Sequence, residues 1–258
     1  MANIEHLALL EQGAVKWLEW RKKNIQVKPD LSEANLKGAN LKGANLNGAN
    51  LYKANLIDAN LQQAELIDAK LIETQLIGAD LSNANLLGAN LRGSDIRRAD
   101  FSNANLIATE FIAANLRECD LSAANLRRSS LGYANLMNAN LSNANLSNAN
   151  LHEAELIGAY LDRADFHKAN LSQSHLSGAY VFGANLSEAN LYNADFRWAN
   201  LSKANFTGAN LSKANFTGAN LSKANFTGAN LSKANFDGAN LSKANFDGAI
   251  APDGIINY

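Results

Sequence analysis

From Leu31 to Phe246 every fifth residue is large and apolar, 44 positions without a break. Leu holds most of them, and Ile96, Val181 and phenylalanines such as Phe101, Phe166 and Phe196 hold others. From Ala34 onward the side chain two residues before each one is small: Ala as a rule, otherwise Thr74, Ser94, Thr109, Cys119, Ser129 or Ser174. The unit is A-(N/D)-L-x-x. An α-helix repeats its apolar face about every 3.6 residues and a strand about every two. A strict period of five fits neither. It fits a solenoid whose wall turns a corner at each unit, with the large and the small residue inward and the other three toward solvent. Such arrays bury a core only by stacking on their neighbours.

This A-(N/D)-L-x-x pattern resembles that of the pentapeptide-repeat family, over residues 30–250. The resemblance implies an all-β fold: a right-handed, quadrilateral (four-sided) parallel β-helix, or solenoid, of about 11 coils with four units to a coil, roughly 50 Å long at β spacing. The expected division is 1–29 as a helical cap and linker, 30–250 as the repeats and 251–258 as a C-terminal tail.

Asn3 to about Lys23 reads as one amphipathic helix, with Leu7, Leu10, Ala14, Trp17 and Leu18 at helical spacing. Asn3 is its expected N-cap and Gly13 its weak point. An uncovered β-helix end would expose unpaired backbone groups. A helix laid over the first coil covers them, and Trp17 and Trp20 supply the area. The Trp17-x-x-Trp20-Arg21 lead-in is similar to that of cyanobacterial members of the family. At the other end, Ile255, Ile256 and Tyr258 either fold over the last coil or dock a second molecule, giving a homodimer through the C-terminal end.

The formal net charge is −1, from 23 basic and 24 acidic residues. A protein that lives on nucleic acid carries a basic excess, so nucleic acid is not an expected partner. One cysteine, Cys119, allows no intramolecular disulfide. No apolar stretch is long enough for a membrane span, and Met1–Glu11 does not read as a secretory signal. The expected location is cytoplasmic.

Catalysis needs a concave site where polar groups converge, and a regular prism is convex. No catalytic residue, cofactor or metal is expected. The richest cluster is His152, Glu153, Glu155, Asp162, Asp165 and His167. Metal ligands must meet within about 2–2.6 Å of one ion, whereas His152 and His167 fall on neighbouring walls and point apart. The cluster reads as a solvated face. His6 and His175 show no partner at this level. Cys119 sits at a small inward position and reads as a buried, inert thiol. The many Asn-x-Ser/Thr triplets follow mechanically from the repeat.

Residues twenty apart stack on one wall. Ile67, Leu87 and Ile107 then form an apolar column, flanked by Ile72 and Ile112 on one wall and Ile57 and Ile77 on another. Together they are a candidate protein-contact patch, or only the β preference of Ile. Asp80, Asp100 and Asp120 form an acidic column, with Arg98 the expected counter-charge. The near-identical decapeptides after Leu201 stack Lys203, Lys223 and Lys243 on one wall, with Lys213 and Lys233 opposite. They also stack Phe206, Phe226 and Phe246 inside, facing Phe196, Phe216 and Phe236. Without interleaved aromatics or a groove the lysines carry little argument for nucleic acid.

The expected function is a non-enzymatic scaffold presenting flat β-helix walls to an unidentified protein partner. The alternative comes from the resemblance: some pentapeptide-repeat proteins protect or inhibit DNA gyrase by imitating the duplex. On that reading the chain is a DNA-mimicking topoisomerase modulator.

Overall fold

A computed structural model describes residues 1–252. Helix α1 spans Ile4–Glu11 and starts on Asn3, whose Oδ1 accepts the N–H groups of Glu5 (2.9 Å) and His6 (3.1 Å). Helix α2 spans Ala14–Lys23. The single helix expected over Asn3–Lys23 is therefore two. Gly13 between them has φ +97°, which a helix cannot accommodate.

In the repeat region the backbone accounting explains the sequence unit. In the repeat around Leu56, the Asn55 N–H donates to Ala34 O in the preceding rung, while the Leu56 and Asp58 N–H groups donate to Gln75 O and Ile77 O in the next. Ala59 N–H closes the turn onto Leu56 O at 3.1 Å. The one remaining donor, Ile57 N–H, goes to the Asn55 side-chain Oδ1 at 3.2 Å. All five N–H groups are thus satisfied, as burial against a neighbouring rung demands. This is why Asn or Asp precedes the large residue: its side chain caps the turn that follows.

The all-β expectation is corrected by this geometry. Among the described residues there is no β-strand, and the only regular elements are α1 and α2. The repeats are joined by isolated, single-residue parallel pairings, each linking a residue to the one twenty further on, as in Asn55 with Gln75 and Asn60 with Asp80. The chain is not the expected right-handed quadrilateral parallel β-helix, or solenoid. The reason is local. From Glu33 to Gly248 every fifth residue has a positive φ, between 53° and 68°. The backbone therefore turns before a second consecutive residue can pair, and a strand needs several. Thirty of these positions are not glycine, at a cost of roughly 1 kcal/mol each. The N–H bond that those from Glu33 to Lys223 make to the next rung opposes that cost. With no strands there are no flat β-helix walls, so the scaffold function that rested on them falls with the fold assignment.

The pairings form four columns, and the chain has four sides, numbered here from the one containing Leu31. Inside, the large and small residues are buried from Leu31 to Leu231, apart from the half-buried Ala39. Phe206 stacks on Phe226 at 4.9 Å and Phe196 on Phe216 at 5.2 Å, while the two stacks meet edge-on, as in Phe206 against Phe216 at 6.1 Å. Both geometries are favourable for aromatic pairs.

The helices close the first rung. Trp17 is fully buried and its Nε1 donates to Asn45 O at 2.9 Å. The buried Arg21 guanidinium donates to Val27 O and, at 3.0 Å, to Asn47 O; burial lowers its pKa. His6 is not without a partner: its Nδ1 accepts the Asp30 N–H at 3.1 Å, and its ring packs 5.0 Å from Trp20. Leu10 is buried, and Leu7, Leu18 and Trp20 are half-buried. The tail residues Ile255, Ile256 and Tyr258 lie outside the described residues.

Candidate functional site: an acidic column on the third side

Because Asp accepts the turn N–H as Asn does, it can replace Asn in the repeat and add a charge without altering the backbone. This happens three times in succession on the third side. Asp80 pairs with Asp100, and Asp100 with Asp120. Each carboxylate is held by its own turn: Ser82 N–H at 3.0 Å, Ser102 N–H at 2.7 Å and Ser122 N–H at 2.8 Å. Gln62 and the Ser82 hydroxyl also donate to Asp80, and the Asn140 amide donates to Asp120 at 3.1 Å.

None of the ion pairs among the described residues involves these three aspartates. Arg98 was their expected counter-charge. Instead the neighbouring Arg97 clasps Asp95 through two 2.8 Å bonds on the second side. The result is a half-buried row of fixed carboxylates facing solvent, spaced by about 4.8 Å.

The apolar patch is divided among three sides. Ile67, Leu87 and Ile107 occupy successive rungs of the fourth side, since Asp68 N–H bonds Leu87 O and Gly88 N–H bonds Ile107 O. Leu87 is 37% exposed. Ile57 and Ile77 are neighbours on the second side, but Arg92 separates Ile72 from Ile112 on the first. All of these isoleucines are half-buried.

His152 and His167 do not converge. His152 Nδ1 meets Ser172 Oγ and its Nε2 meets Glu153, whereas His167 Nδ1 meets Ser187 Oγ at 2.9 Å. His175, read from sequence as unpartnered, has Nδ1 2.9 Å from Glu155 Oε1 in the rung before. The twenty-residue spacing carried that signal. Among the described residues no group of three or more His, Cys, Asp or Glu is placed to hold a metal ion. Cys119 is buried, its thiol donates to Ile96 O, and burial pushes its pKa up to about 12. Two features went unread in the sequence: Tyr160 and Tyr180, stacked at 5.0 Å on the third side, and the exposed Trp198.

Models of the pentapeptide repeat match residues 30–66, 64–103, 104–143 and 214–250, and a model of the pentapeptide repeat region matches 149–226. The chain belongs to the pentapeptide-repeat family. Among solved structures, a trypsin-treated variant of QnrB1, a plasmid-mediated fluoroquinolone resistance protein, is 23% identical over 69% of this chain and 89% of its own, with a TM-score of 0.61. Full-length QnrB1 is 22% identical over 66% of this chain and 90% of its own, with a TM-score of 0.57. This likeness is one of fold. HetL, a pentapeptide repeat protein involved in heterocyst differentiation regulation in the cyanobacterium Nostoc sp. strain PCC 7120, is 35% identical over 88% of this chain and 94% of its own, with a TM-score of 0.29. No curated protein matches the chain. Among the described residues no helix is long and apolar enough to cross a membrane.

Proposed function

We propose that the chain is a DNA-mimicking modulator of a topoisomerase of the gyrase type, offering its third side where the enzyme takes duplex. The observation that carries this reading is the column Asp80–Asp100–Asp120, three fixed carboxylates in register with no cation paired to them. Each strand of duplex DNA carries one charge per about 3.4 Å of axis. One carboxylate per rung of about 4.8 Å is a comparable linear density.

The overall charge of −1 hides a segregation along the chain. From Asp58 to Asp120 there are ten carboxylates against five basic side chains, and after Leu201 five lysines stand against Asp237, Asp247 and Asp253. The fold likeness to QnrB1, a fluoroquinolone resistance protein, supports the same reading. On the adjacent fourth side, Ile67, Leu87 and Ile107 would extend the contact with apolar area. Placement with cyanobacterial-type members is supported by the Trp17-x-x-Trp20-Arg21 segment, and a cytoplasmic location belongs to this reading.

The test is gyrase supercoiling with increasing amounts of the protein. Wild type should change the rate, and a D80N/D100N/D120N variant, which keeps every turn acceptor, should lose most of the effect. No effect of wild type in molar excess, or an equal effect of the variant, would remove the proposal.

A further inference from the structure

Beyond the first rung, where Lys42 stands, the third side is divided by charge sign. From Asn60 to Asn143 its outward positions carry Asp80, Asp100 and Asp120 and no cation. From Tyr160 to Lys243 they carry Arg163, Lys203, Lys223 and Lys243 against the single carboxylate of Asp162. The pairs Asp80 with Lys243, Asp100 with Lys223 and Asp120 with Lys203 share one midpoint, between Leu161 and Asp162. Turned end for end about that point, the side becomes complementary to itself. Asp162 and Arg163 then lie at the level of the axis in both copies.

We infer that the third side is an antiparallel docking surface for a second copy of this chain, with its two-fold axis at the Tyr160–Arg163 level. Two-fold contacts bring one surface patch against itself and require this kind of self-complementarity. The centre is built as an interface centre. Tyr160 and Tyr180 are each 46% exposed and stack parallel, 5.0 Å apart. A groove of about 450 Å³ beside them is lined by Asp162, Arg163, Tyr180 and Phe182. Exposed tyrosines with an arginine at the centre and charged residues toward the ends match the composition of protein contacts.

The acidic column stands one residue before the buried leucines and the lysines two residues after. The columns therefore lie on opposite edges of the side, and the two copies cross at a shallow angle. The long lysine stems span the remaining offset. Lys203 already lies 5.0 Å over the Phe182 ring, which draws its charge toward the centre of the side.

The inference stands apart from the topoisomerase reading, although both use the same carboxylates, so self-association and enzyme binding would compete. Its test needs no topoisomerase. Sedimentation of wild type in about 20 mM salt should show a dimer whose Kd rises at least about tenfold by roughly 300 mM, where screening is strong. A D80K/D100K/D120K variant leaves Asp162 as the one carboxylate on the side from Asn60 to Lys243, and Lys70 shows that a column position accepts lysine. A K203D/K223D/K243D variant leaves Arg163 as the one cation on the side from Asn60 to Lys243. Each alone should be monomeric, and an equimolar mixture should form a heterodimer. D80N/D100N/D120N should weaken the dimer and keep the fold. A monomeric wild type, a dimer indifferent to both reversals, or variants that fail to associate when mixed would overturn the inference. Loss of association in the lysine variant alone would overturn it too, since the lysines would then meet some other anionic partner.

Discussion

Trp198 lies flat against Gly218 in the next rung, so closely that a β-carbon at Gly218 would sit 2.3 Å from the indole. Trp198 itself holds a turn position at φ +61° and is 72% exposed. Gly218→Ala should push the indole off its floor. Tryptophan emission should shift, and stability should fall by about 1 kcal/mol, most of it from alanine at positive φ. An unchanged spectrum would mean that the ring does not rest there.

The phenylalanine stacks should behave as a packed column. Phe216 touches Phe196 and Phe236 face-on and Phe206 and Phe226 edge-on. Phe216→Ala should cost about 3–5 kcal/mol. Phe216→Leu, which restores the commonest inward residue, should cost less than about 1.5 kcal/mol. Hydrogen exchange should localise the alanine defect to the rungs on either side, because each rung contacts only its neighbours. A small and equal effect of the two changes would contradict the stacking.

At the other end, Trp17→Phe separates packing from hydrogen bonding. It keeps a ring in the buried site but loses the bond to Asn45 O. The expected loss is about 1–3 kcal/mol, the cost of leaving a buried acceptor unpaired. Amide exchange should accelerate in the first rung, from Leu31 to Asn50. Acceleration in distant rungs instead would argue against a local capping role.

The Cys119 thiol should be inert while the chain is folded. Its pKa is raised from 9.0 to about 12 by burial, so the folded state holds the proton more tightly than the unfolded chain. The stability tied to that proton is complete below pH 9.0 and is lost as pH rises toward about 12. A disulfide reagent at pH 8 should label Cys119 only after denaturant is added. Labelling of the native protein at the denatured rate would show the thiol to be accessible.

The sequence made the inward residues legible because a period of five admits one choice of buried positions. It also placed stacked partners, since residues twenty apart meet: the lysine column and the phenylalanine stacks follow from counting. Strand content was misjudged because the same period that sets the stacking also puts a positive-φ residue in every unit, such as Asp58, and so limits each side to one pairing. Side-chain choices were harder to read. Arg97 and Arg98 are adjacent, yet it is Arg97 that reaches Asp95, from the position after the buried Ile96. His175 finds Glu155 only through the stacking of rungs. The acidic column was visible, but its freedom from cations depended on those local pairings.

The most direct measurement is competition between this protein and duplex DNA for purified gyrase, followed by fluorescence anisotropy of a labelled duplex. If Asp80, Asp100 and Asp120 stand in for phosphates, wild type should displace the duplex. D80N/D100N/D120N should require at least about tenfold more protein, since charged contacts contribute on the order of 1.5–3 kcal/mol each. Undiminished DNA binding in the presence of excess wild-type protein would contradict the mimicry outright.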